Sequence, residues 1–114
     1  MPGDFHVRTE QLPDATVIVV SGELDLASAP QLEAALRSIL APVMKLVVLD
    51  LRKLEFMDST GLSTIVHAHQ RLAEDGCELT LVKGPPQVQR LLDLTGVAER
   101  LRLGADPAEL LDGR

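Results

Sequence analysis

Residues 46–65 read LVVLDLRKLEFMDSTGLSTI. Leu46 to Leu51 are aliphatic apart from Asp50, which suits a strand buried on both faces of a sheet. Residues 52–59 mix charged and apolar side chains and read as a loop. Asp58, Ser59 and Thr60 are each good helix caps. Leu62, Ile65, Val66, His69, Leu72 and Ala73 then share one helical face, and Gly76 suits the residue just past the helix end. A further apolar strand follows at Glu78 to Val82. Strand, capped helix and strand make a β–α–β unit, which implies parallel strands joined by a right-handed crossover.

Outward from this unit the punctuation is regular. Upstream, Ala15 to Val20 (ATVIVV) is another buried strand, and Phe5 to Glu10 alternates loosely as an edge strand. Pro13-Asp14 between them marks the turn of an antiparallel hairpin. The helix that follows has Ser28 as candidate N-cap, Pro30 in its first turn and Gln31 at the capping-box position. Leu32, Leu36, Ile39 and Leu40 form its apolar face, and Pro42 ends it. Downstream, Pro85-Pro86 opens a helix with Val88, Leu91, Leu92 and Thr95 on one side and Gly96 at its close. Leu101 and Leu103 alternate as a short strand. Asp106-Pro107-Ala108-Glu109 opens a short last helix over about 106–112. The order is ββαβαβαβα. The fold class is α/β: an N-terminal hairpin followed by βα units forming a mostly parallel sheet packed with helices. We expect one domain over 1–114, with its core at about 5–104.

The 114 residues are 46% apolar and 25% charged, the balance of a globular chain able to bury a core unaided. A single cysteine, Cys77, cannot form an internal disulfide. The net charge of −6 argues against nucleic acid or an anionic membrane surface as partner. Only Phe5 and Phe56 are aromatic, too few for a base-stacking platform. No apolar run is long enough to span a bilayer, and MPGDFHVRTE lacks the features of a secretion signal. The expectation is a cytoplasmic protein with neither nucleic acid nor membrane as partner.

In parallel sheets, ligands meet the loops beyond the strands' carboxyl ends. Three loops are expected there: Ser21 to Asp25 (SGELD), Arg52 to Ser59, and Lys83 to Pro86 (KGPP). Glu23, Asp25 and Asp58 would share the rim against only Lys83, so a partner should offer basic groups. Ser59 and Thr60 place two hydroxyls at a helix start, where free N–H groups and the dipole tolerate a phosphate. Plain helix capping by Asp58, Ser59 or Thr60 explains the same residues without a function. Gly61 lets another backbone approach the first turn.

The segment LEFMDSTGLSTI, after the strand LVVLDL, resembles the signature of the STAS domain, and more narrowly that of the bacterial anti-sigma-factor antagonists. SGELDLASAP and LLDLTGV continue the resemblance in the family's order and spacing, over about residues 5–104. The resemblance implies a binding protein, not an enzyme, in the regulation of transcription and the response to stress. Unphosphorylated, it would bind an anti-sigma serine kinase and so free a sigma factor. The kinase would use ATP to phosphorylate Ser59, and a PP2C-type phosphatase would reverse this. No cofactor is implied for the chain itself. Glu23, Asp25, Asp58, Ser59, Thr60 and Gly61 would form the partner-binding site, with Asp25 matching the family's acidic residue. A STAS subunit of a stressosome-like scaffold or lipid-transport complex, or a nucleotide-binding module, are the alternatives.

Other candidates carry less chemistry. His67 and His69 stand at i and i+2 on a helix and face different ways, so no metal site is expected. Cys77 opens a core strand and reads as a buried, inert thiol. Asp58-Ser59-Thr60-Gly61 is one residue too long for an aspartic-protease loop and occurs once. There is no G-x-S-x-G elbow and no P-loop. Arg90, Arg100 and Arg102 are scattered among acids and read as solvated surface.

Overall fold

Five strands form one sheet in the order β1-β2-β3-β4-β5, in a computed structural model that describes residues 4–39 and 43–112. They are β1 (Phe5–Gln11), β2 (Ala15–Leu24), β3 (Leu46–Met57), β4 (Glu78–Val82) and β5 (Arg102–Gly104). β1 is antiparallel to β2, and every other neighbouring pair is parallel. The helices are α1 (Ala29–Arg37), α2 (Ser59–Glu74), α3 (Pro86–Leu94) and α4 (Pro107–Leu111), with a 3-10 turn at Val97–Glu99. The order read from the sequence is observed, with that turn added before β5.

Side chains alternate across the strands, and the two faces are covered unequally. On one face Ile18, Val20, Val47, Leu49, Leu79 and Leu81 pack with residues of α1, α2 and α3, including Leu36, Ile65 and Leu92. On the other, Val17, Leu46, Val48 and Val82 lie with Leu110 of α4. Burial on both faces is why the strands read as nearly unbroken apolar runs.

Helix details differ from expectation in three places. α1 ends at Arg37 with Ser38 as its C-cap, so Ile39 is buried beyond the helix; Leu40 and Pro42 lie outside the described residues. On α2 the inner line is Gly61, Leu62, Ile65, Ala68 and Leu72. Ala73 is exposed, and Val66 and His69 are only half-buried, because the helical period centres the stripe on 61, 65, 68 and 72. On α3 Val88 and Leu92 are buried, whereas Thr95 is an exposed C-cap whose hydroxyl donates to the Leu91 carbonyl at 2.7 Å.

The largest difference lies in β2 and β3, which extend through segments expected to be loops. β2 continues to Leu24 and β3 to Met57. Their register slips twice: Val19 pairs with Asp50 but Ser21 with Lys53, and Gly22 pairs with Leu54 but Glu23 with Phe56. Each slip inserts one extra residue on β3, a β-bulge that bends and twists the strand. Past Leu51 burial then falls on every third residue, at Leu51, Leu54 and Met57.

Asp50 sits just before the first bulge, 2% exposed, with its carboxylate gripped by Arg52. The Arg52 backbone N–H and Nε each donate to Oδ1 at 3.0 Å, and an Nη donates to Oδ2 at 2.8 Å. The hydrogen bond to Asp50 is the main cause that holds the Arg52 pKa above its ordinary value. Removing the two partners should have unequal costs. Arg52→Met leaves a buried carboxylate without its cation and should cost about 3 kcal/mol. Asp50→Asn leaves a half-exposed guanidinium that can turn to water, and should cost less than half of that. Urea unfolding of both variants checks the order, and a larger loss in Asp50→Asn contradicts it.

Candidate functional site

The sequence pointed to the carboxyl ends of β2 and β3, and the register brings those ends side by side. Leu24 pairs with Met57, and the Asp58 N–H donates to the Leu24 carbonyl at 3.1 Å. The chain leaves β3 at Asp58 and enters α2 directly. Asp58 is the N-cap: its Oδ1 accepts from the Thr60 N–H at 2.9 Å and the Gly61 N–H at 3.0 Å. Of the three candidate caps, the carboxylate therefore does this work.

The consequence falls on Ser59. It is the first residue of α2, it is exposed, and its hydroxyl makes no hydrogen bond among the described residues. Thr60 is half-buried. Gly61 is buried, and a Cβ there would meet the Leu24 Cγ at 2.7 Å and the Leu24 carbonyl oxygen at 3.0 Å. The expected close approach is thus to Leu24, and Gly61 seats α2 on β2 rather than lining the rim.

On the β2 side, Ser28 stands at the N-cap position of α1, yet its side chain caps nothing. Its hydroxyl donates to the Glu23 carbonyl at 2.7 Å and accepts from the Asp25 N–H at 2.9 Å. The Asp25 carboxylate accepts from the Ala27 and Ser28 N–H groups at 3.0 and 3.1 Å. Ser28 and Asp25 together tie the 23–28 turn, and no capping box involves Gln31. Asp25 Oδ1 is committed to this turn. Glu23 is half-buried and its carboxylate has no partner among the described residues.

The rim differs from expectation in its cations. β4 ends at Val82, which pairs with Asp50, far short of Met57 along β3. The KGPP loop therefore lies beside Leu51, where a Cβ on Gly84 would come within 3.1 Å of the Leu51 carbonyl oxygen. Lys83 stands back from the rim, and the exposed Lys53 of the β2–β3 ribbon is the nearer cation in register, paired with Ser21. Two large apolar side chains also stand in the open here. Leu26 is 74% exposed beside Asp25, and Phe56, paired with Glu23, is 46% exposed. Neither was singled out from sequence. The available signal was an apolar residue that no strand or helix period could place.

The remaining candidates stay apart from the rim. His67 is exposed and His69 half-buried on another side of α2. No group of three or more metal-ligating side chains occurs among the described residues. Cys77 is 1% exposed, and burial pushes its thiol pKa up. Arg102 pairs with Glu78 across β4 and β5 at 3.2 Å. No helix among the described residues is long and apolar enough to cross a membrane.

The family model described as STAS domain matches residues 6–110. The chain is 31% identical over 94 residues to an anti-sigma-B factor antagonist of Listeria monocytogenes, covering 82% of each. It is similar to the solved structure of an anti-sigma factor antagonist from Mycobacterium paratuberculosis, with a TM-score of 0.89 and 27% identity over 99% of this chain and 96% of that one. It shares its fold with the phosphorylated form of the Bacillus cell fate determinant SpoIIAA, with a TM-score of 0.74 and 19% identity over 96% of this chain and 100% of that one.

Proposed function

The chain belongs to the STAS domain family, and from that footing we propose that it is an anti-sigma-factor antagonist switched by phosphorylation of Ser59. Unphosphorylated, it binds an anti-sigma factor that is also a serine kinase, through the rim of Glu23, Asp25, Asp58, Ser59 and Thr60. A sigma factor is thereby released. The kinase spends ATP on Ser59, and a PP2C-type phosphatase restores the binding form. The protein's own contribution is recognition, with no reaction performed by its side chains.

The observation that carries this reading is the idle Ser59 hydroxyl. It is exposed at the first residue of α2 while Asp58 meets the first-turn amides. Modification of Ser59 therefore removes no bond the fold depends on. A phosphate there adds about −1.5 to −2 charges at neutral pH. The helix dipole favours it, while its bulk and charge on the docking rim beside Glu23, Asp25 and Asp58 block the partner's approach. The readout is binding rather than unfolding.

The test uses the kinase with ATP and maps the product by mass spectrometry. Phosphate is expected on Ser59, with labelling abolished in Ser59→Ala. Thermal melts of the two forms should differ by no more than about 1 kcal/mol, the usual size of a helix-end charge effect. Phosphate on Thr60, or a phosphorylated form that has lost its fixed tertiary structure, sinks the proposal.

A further inference from the structure

β1 is the first strand in the order, and among the described residues no strand pairs with its outer side. The opposite edge, β5, is only three residues long, whereas β1 has seven. An unpaired strand of that length is a template for pairing with another chain.

The orientation of its backbone groups follows from two bonds at its ends. The Asp4 carbonyl accepts from the Glu23 N–H, and the Leu12 N–H donates to the Ala15 carbonyl. In this register Val7 pairs with Val20 and Arg8 with Val19. The even-numbered residues thus turn their N–H and C=O toward β2, and Val7, Thr9 and Gln11 turn theirs outward.

We propose that β1 pairs antiparallel with β1 of a second copy of this chain, about a two-fold axis at Thr9. Thr9 then exchanges hydrogen bonds with its own copy, and Val7 does so with Gln11. Arg8 and Glu10, both exposed, fall in the positions between, where cross-strand side chains approach most closely. Arg8 of each copy stands opposite Glu10 of the other, on one face, twice by symmetry. Neither residue has an ion-pair partner among the described residues. The charges select this register. Moving the axis to Arg8 sets arginine against arginine, and moving it to Glu10 sets glutamate against glutamate. Since β1 and β2 are antiparallel, the Thr16-paired end of β1 lies away from the Ser59 rim. The pairing leaves both rims open at opposite ends of one continuous sheet.

Sedimentation of the full chain, up to millimolar protein, tests this. Wild type should form dimers. Arg8→Glu and Glu10→Arg should each weaken dimerisation about tenfold or more, because each sets like charges opposite one another. An equimolar mixture of the two variants should restore dimers, since every cross-strand pair is again of opposite sign. The double variant should dimerise with itself. Thr9→Pro removes the central outward N–H and should also weaken pairing, with circular dichroism unchanged. A monomeric wild type, or a dimer indifferent to single charge reversal, overturns the proposal. So does failure of the mixture to recover dimers when both variants are folded.

Discussion

Gly22→Ala is expected to cost about 4 kcal/mol or more, placing it among the rare large single-site losses. Gly22 has φ of +92°, and a Cβ built on it lies 1.7 Å from the Asp4 carbonyl oxygen. That oxygen belongs to the backbone entering β1 and accepts from the Glu23 N–H. It cannot rotate away as a side chain could, so β1 must lift from β2 at that end. Phe5, 8% exposed and part of the main core, would lift with it. Gly76 supplies the contrast. Its φ of +79° carries the same conformational penalty, but nothing lies within 4 Å of a Cβ built there. Gly76→Ala should cost about 1 kcal/mol, the left-handed penalty alone. Denaturant unfolding of both variants measures the difference. Equal losses would mean that backbone strain, and not collision with β1, governs both sites.

The second large effect is on association with the anti-sigma factor. Glu23→Lys is expected to weaken binding by about 2–5 kcal/mol, the range for losing a charge contact and gaining a repulsive one at an interface. Glu23 is a cleaner probe than Asp25, because Asp25→Lys would also release the 25–28 turn. The control is Glu74→Lys, exposed at the far end of α2, where the change should stay within about 0.5 kcal/mol. Affinity should fall with added salt, since exposed charges are screened beyond about a Debye length. Titration calorimetry at two ionic strengths reads all of this. If Glu23→Lys and Glu74→Lys behave alike and salt has no effect, the anti-sigma factor docks elsewhere.

The order of elements was legible because each carried a local signal. The unbroken ATVIVV and LVVLDL runs report burial on both faces, and Asp106-Pro107 marks α4 with a cap that does form, Asp106 accepting from the Glu109 N–H at 2.9 Å. The ends of β2 and β3 were not legible. In LRKLEFM the apolar residues stand at 51, 54, 56 and 57, a spacing that matches neither strand nor helix. Only the partner strand, through two register slips, makes that spacing a strand. The same cause misplaced Lys83: it was expected on the rim with Glu23, Asp25 and Asp58, but β4 stops opposite Asp50. At the site, the residue types pointed to a helix start, but which of Asp58, Ser59 and Thr60 caps it depends on geometry. Ser28 failed as a cap for a related reason, since a neighbouring carboxylate and carbonyl compete for its hydroxyl.

The bulged ribbon bears on how such a protein diverges. A regular half-buried strand offers one outward residue for each inward one. Between Leu51 and Met57, two positions face out for each that faces in. Lys53, Glu55 and Phe56 can therefore be exchanged while Leu51, Leu54 and Met57 keep the hydrophobic contacts intact. Duplicated copies of the domain can drift apart in surface chemistry along this ribbon at almost no loss of foldability. Exposure and packing are written on separate letters of the same strand.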